Sequence, residues 1–132
     1  MKTIRGWIFY WGPPIIWIII IFIMSSRQRI SIADTQVENF IIFKTLHIIE
    51  YAFLYLLLFR ANFKSFSKKI SLNTIFTISI IGSILYAISD EVHQTFVPTR
   101  QGSIRDIGID TIGILLAFSY TKMYLAKLRR FI

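Results

Sequence analysis

The sequence contains no cysteine, which removes disulfides, thiolate metal ligands and cysteine nucleophiles from consideration. Charge is also sparse. Asp, Glu, Lys and Arg make up 17% of the 132 residues, against about 25% in soluble domains. Hydrophobic residues reach 55%, and the mean hydropathy is +0.60. Acids are the scarcer sign, seven against fifteen Lys and Arg, for a formal net charge of +8. A nucleic-acid partner is excluded, because such a binder spreads its cations over a water-facing surface, whereas here they lie between apolar runs. Those cations suit membrane anchoring and anionic lipid headgroups instead. The Gly-x-Ser-x-Gly nucleophile motif is also missing.

What is present is a series of long apolar runs. A chain of 132 residues holds one domain, spanning 1–132, and no separate soluble module. A bilayer core of about 30 Å needs roughly 20 apolar residues in a helix, since the backbone finds its partners only there. Four stretches qualify: 7–24, 41–59, 70–89 and 104–124. The expected fold is therefore an all-α membrane protein, an antiparallel bundle of four transmembrane helices with short loops at 25–40, 60–69 and 90–103. Pro13 and Pro14 predict a kink in the first helix. That helix is too long for a signal-peptide core, and Met24-Ser25-Ser26-Arg27 is a poor cleavage site, so it is read as retained.

The basic residues set the orientation. Lys2, Arg5, Arg60, Lys64, Lys68, Lys69, Lys122, Lys127, Arg129 and Arg130 fall on one side, and Arg27, Arg29, Lys44, Arg100 and Arg105 on the other. The positive-inside rule then makes both termini cytoplasmic, in a multi-pass protein of the cell membrane. All seven acids gather on or near the outer side. Insertion does not require this, because acids weigh little in topology.

His47 and Glu50 fall in the first turns of the second helix, three apart and hence on one face with Tyr51. Asp90, Glu91, His93 and Gln94 end the third, and Arg105, Asp106 and Asp110 open the fourth. An ionisable group at mid-membrane costs about 2.5–3.5 kcal/mol, so such groups turn inward and need partners. Individually, each has a plain explanation: His47 and Glu50 as interfacial polar residues, Asp106 as a helix-dipole partner neutralised by Arg100 or Arg105, and Tyr51, Tyr55 and Tyr86 as packing. Their coincidence at one end points to a shared pocket in which carboxylates and imidazoles divide acid and base roles.

Several segments together resemble the VanZ family, which is named for an accessory protein of teicoplanin resistance. They are Met24-Ser25-Ser26-Arg27-Gln28; Lys44-Thr-Leu-His47-Ile-Ile-Glu50-Tyr51 running to Arg60-Ala61; and Ser89-Asp90-Glu91-Val-His93-Gln94-Thr-Phe-Val-Pro98-Thr-Arg100, followed by Ser103-Ile-Arg105-Asp106 and Gly113. The resemblance covers nearly the whole chain. Thr99 stands where that family often has Gly, Glu50 where it is often apolar or small, and Asp110 and Ala117 where Asn and Gly are frequent. The resemblance implies a small polytopic protein of the bacterial envelope, linked in some members to glycopeptide tolerance. It implies no mechanism.

Three functions follow from the residues. In the first, the protein binds a lipid-linked or amphiphilic envelope ligand at the outer leaflet, in addition to membrane lipids. Asp90, Glu91, His93, Arg100, Arg105 and Asp106 would contact it, with Gln94 and Asp110 beside them, and the arginines would fork onto a phosphate or sugar headgroup. In the second, a hydrolase or transferase acts on such a lipid, using His47 or His93 as base and Glu50, Asp90, Glu91 and Asp106 as acids or orienting groups. The third is a proton- or ion-coupled transporter, with Glu50 and Asp110 relaying protons. No cofactor and no metal are assigned. A divalent ion on His47, His93, Asp90 and Asp106 would be chemically suitable, but the spacing matches no metal signature.

Overall fold

In the computed structural model, residues 4–28, 34–100 and 102–129 are described. Of the basic residues in the charge pattern, Lys2, Arg29 and Arg130 and the side chain of Arg5 lie outside that description. Every regular element among the described residues is an α-helix: α1 Ile4–Ser25, α2 Gln36–Phe66, α3 Leu72–Gln94 and α4 Ile104–Leu128. Three of them are long and apolar enough to cross a membrane: Gly6–Ser25, Gln36–Phe66 and Leu72–Gln94. α4 has the length but carries Arg105, Asp106, Asp110, Lys122 and Lys127, and its composition falls short of the other three.

The helices run further than their apolar stretches. Thr35 and Glu38 form a reciprocal capping box that starts α2 at Gln36, five residues before the apolar run. His47 therefore stands about three turns into α2 rather than in its first turns. Ser71 and Ser103 cap α3 and α4 by accepting from Thr74 N and Asp106 N. α3 continues past the apolar run to Gln94, so Asp90, Glu91, His93 and Gln94 lie in its last two turns and end the helix as expected.

The core lies between α2, α3 and α4. Tyr51, Leu54, Tyr55, Phe59, Ile75, Phe76 and Ile114 are buried there; Phe59 stacks on Phe76 at 4.9 Å, and Phe76 meets Phe118 edge to face at 5.3 Å. α3 presents Ser79, Ser83 and Ala87 on this face, all fully buried, and such small side chains let membrane helices approach closely. Each serine hydroxyl returns to a carbonyl four residues back. Ser79 also accepts from Asn62 Nδ2 at 3.0 Å. Outward faces carry Ile8, Ile16, Ile81, Leu85, Leu116 and Met123, exposed as lipid contact requires.

α1 stays helical through Pro13 and Pro14. Pro13 has no N–H for the carbonyl of Phe9 four residues before it. Arg60 of α2 reaches that carbonyl instead, donating from Nη1 at 3.5 Å, while its guanidinium rests over the Phe9 and Tyr10 rings at 5.0 and 5.8 Å. A neighbouring helix thus supplies the donor that the proline removed, as a lipid-facing backbone demands.

Contact between α2 and α4 is set by Gly113, where a Cβ would collide with the backbone of Ile48. Gly113→Ala is expected to push α4 off α2 and to lower stability by about 1–3 kcal/mol. Thermal unfolding in detergent checks this, and an unchanged midpoint would contradict the close approach.

Candidate functional site

Asp90 is 3% exposed and receives donors from three helices. Ser25 Oγ of α1 donates to Oδ1 at 2.5 Å, Tyr51 of α2 donates to Oδ2 at 3.1 Å, and Gln94 Nε2 of α3 donates to Oδ2 at 3.0 Å. A buried carboxylate is tolerated only when so provided. Because α3 extends past Ser89, this acid is aimed inward at the height where α1 ends.

The adjacent residues of α3 fasten the following loop. Glu91, also 3% exposed, accepts from the backbone N–H of Ser103 at 2.9 Å and from Gln94 at 3.4 Å. Gly102 lies against the Glu91 carbonyl with no room for a Cβ. His93 faces α1 and shares a hydrogen bond with Ser26 Oγ at 2.9 Å, its ring 4.6 Å from that of Phe22. Thr99 takes a left-handed φ of 67°, a conformation that costs a non-glycine residue about 1–2 kcal/mol. Just after it, Arg100 donates from Nε to the Arg27 carbonyl and from Nη2 to the Met24 carbonyl, both at 3.1 Å. A cation at the C-terminal end of α1 meets carbonyls left without helical donors and the negative end of the dipole.

A second group joins α2 to α4. Lys44 Nζ lies 2.6 Å from Asp106 Oδ1, both side chains being about one-tenth exposed, and Arg105 Nε is 3.7 Å from the same oxygen. One turn deeper, His47 Nδ1 meets Asp110 Oδ1 at 3.0 Å. Asp110 is fully buried, and its Oδ2 has no hydrogen-bond partner among the described residues. Between the two groups a cleft of about 60 Å³ is lined by Ser25, His47, Glu50, Asp90 and Arg100 and by the apolar Ile21, Met24, Phe43 and Leu46.

Of the residues singled out from the sequence, His47, Glu50, Asp90 and Arg100 meet at this cleft. Glu91, Gln94 and Asp110 lie behind it, held by the contacts above. Arg105 stands apart from Arg100, its side chain 70% exposed and its guanidinium 5.4 Å from the Phe40 ring, so the two arginines serve different neighbours. The four suggested metal ligands divide as well: Asp90 binds Ser25 and Tyr51, Asp106 binds Lys44, and His93 binds Ser26. Ser25, Ser26 and Lys44 were not read as site residues, although the first two lie inside the Met-Ser-Ser-Arg segment. Lys44 is an outer-side cation and the first residue of the Lys44-to-Tyr51 segment, and its place on the less basic side is the signal that it needs a partner.

These features define a class: an all-helical protein with membrane-crossing helices whose ionisable side chains are tied together at one end. The VanZ/LLP1 family model matches residues 7–125. The chain belongs to the VanZ family. No curated protein and no solved structure matches it. Segments far apart in the sequence are in contact here. Met24, Ser25, Ser26 and Arg27 receive Arg100, Asp90 and His93, and Tyr51 completes the junction.

Breaking one half of a buried ion pair strands the other, typically for about 3–5 kcal/mol. Lys44→Met is expected to destabilise the protein by about 3 kcal/mol, and adding Asp106→Leu to recover most of that loss. Unfolding midpoints of the single and double variants check the pairing, and additive losses would contradict it.

Proposed function

We propose that this VanZ-family protein binds a lipid-linked or amphiphilic envelope ligand at the outer leaflet, seating a phosphate or sugar headgroup in the cleft of His47, Glu50, Asp90 and Arg100. The observation that carries this reading is the mixed wall of that cleft, charged on one side and lined by Ile21, Met24, Phe43 and Leu46 on the other. Guanidinium forks onto phosphate, and carboxylates accept from sugar hydroxyls. By the measure in which one water needs about 10–15 Å³, the 60 Å³ of space takes a phosphate or part of a sugar ring. The rest of a large amphiphile, such as a glycopeptide, stays outside, with its acyl tail along the exposed apolar faces. Arg105 and Phe40, both exposed, form an outlying contact.

The reading includes four alternating spans, both termini in the cytoplasm and the polar cluster outside. Contacts of Trp11 with Ser65, Trp17 with the Glu50 carbonyl and Ser25 with Asp90 support the alternation. α4 is counted as the fourth span because Asp106 and Asp110 are met by Lys44 and His47, while Ile112, Leu115, Leu116 and Met123 remain for lipid. Lys64, Lys68, Lys69, Lys122, Lys127 and Arg129, at the far end, support the cytoplasmic assignment.

Native mass spectrometry of the purified protein with teicoplanin and with a polyprenyl-phosphate sugar tests the headgroup site. At least one is expected to bind, and Glu50→Gln or Arg100→Ala to weaken it about tenfold or more, the worth of one charged hydrogen bond. Binding of neither compound, or wild-type binding by both variants, would remove the proposal.

One contact favours a second reading, a hydrolase or transferase on such a lipid. Asp110 meets His47 at 3.0 Å, as a carboxylate does when it orients an imidazole for general-base work. Water or a substrate hydroxyl would be the nucleophile, and Glu50 the acid for the leaving group. His47→Gln would then stop headgroup release from the polyprenyl-phosphate sugar even at concentrations that saturate the variant. Equal release by the variant would exclude the dyad as the catalytic base.

A further inference from the structure

Behind the cleft, His47, Glu91 and Asp110 converge from α2, α3 and α4, and one ligand-capable atom from each lies within 4.8 Å of the others. Glu91 and Asp110 are buried and His47 is nearly so. This trio differs from the set suggested by the sequence, sharing only His47 with it. Atoms bound to one cation at about 2.1–2.2 Å lie from roughly 3 Å apart in adjacent positions to roughly 4.4 Å in opposite ones, so the three side chains draw together to close the site.

Two carboxylates sealed beside one imidazole leave charge to be neutralised. His47 answers Asp110 through Oδ1, and among the described residues the hydrogen-bond donors to Glu91 are neutral, the Ser103 N–H and the Gln94 amide. Asp110 Oδ2, on a fully buried side chain, has no hydrogen-bond partner among the described residues. An acceptor left bare in this setting costs about 1–3 kcal/mol or more. A divalent cation would give that oxygen a partner and cancel both negative charges. Lys44 and Arg105 do not serve, since both sit on Asp106.

We infer that His47, Glu91 and Asp110 form a binding site for a first-row divalent cation of the Mn²⁺ or Zn²⁺ kind. One nitrogen with two carboxylates is a donor set that such ions accept more readily than Mg²⁺, which keeps an all-oxygen shell. The ion joins α2, α3 and α4 at one point, and His47 on the cleft wall provides its approach from outside. This goes beyond the headgroup proposal and does not depend on any lipid ligand.

The test is direct binding of Mn²⁺, read by electron paramagnetic resonance, and of Zn²⁺, read by calorimetry, to the full chain in detergent after chelator treatment. One equivalent is expected to bind, to persist in millimolar Mg²⁺ and to raise the unfolding midpoint. Asp110→Asn and Glu91→Gln, which preserve shape, are expected to weaken binding about tenfold or more, while His93→Ala leaves it unchanged. Absence of both ions from the wild type would overturn the site. So would wild-type affinity in Asp110→Asn and Glu91→Gln, or a loss caused by His93→Ala. If a variant fails to fold, the wild-type stoichiometry still decides, and a protein that binds metal but no lipid keeps this site while losing the headgroup proposal.

Discussion

A carboxylate enclosed by apolar helices persists only if donors reach it from elsewhere in the chain, and Asp90 is reached from α1, α2 and α3 at once. Much of the architecture follows from that requirement. α1 must end where Ser25 meets the acid, α2 must present Tyr51, and α3 must run past its apolar stretch to carry Gln94. With α3 so extended, Glu91 holds the N–H of Ser103 and thereby fixes where α4 begins. Arg100 then turns back onto the carbonyls of α1. Segments separated by more than sixty residues become one junction of satisfied polar groups, which add to packing where lipid competes for apolar contact.

The same economy governs the backbone. Pro13 deprives the Phe9 carbonyl of its helical donor, and Arg60 replaces it from the next helix. Gly113 gives up its side chain so that α4 can lie on Ile48, which in turn brings Asp110 to His47. Thr99 does the opposite, accepting a left-handed backbone so that the loop can deliver Arg100. Local compromises of this kind recur where a chain must aim particular groups.

Composition and apolar runs made the helices legible, because run length alone states what a bilayer demands. The start of α2 was not legible, because capping by Thr35 and Glu38 is a polar event beyond the apolar run, whereas the end of α3 at Gln94 was. The gathering of His47, Glu50, Asp90 and Arg100 was legible in the one-sided distribution of acids. The pairings within it were not. Whether Asp106 would meet Arg100 or Lys44, and whether His93 would face Asp90 or Ser26, depends on rotations about helix axes that no spacing records. Lys44 illustrates the point, since it contradicts the positive-inside pattern until its partner on α4 is seen.

The functional proposals rest on this junction, since the cleft and the cation site are the spaces it leaves between α1, α2, α3 and α4. Its most direct test is a double-mutant cycle on Ser25→Ala and Asp90→Asn, with unfolding free energies measured in mixed micelles. The account predicts a coupling of about 1 kcal/mol or more, within the range for residues in direct contact. Coupling indistinguishable from zero would mean that α1 and α3 are not joined through Asp90, and the junction described here would not exist.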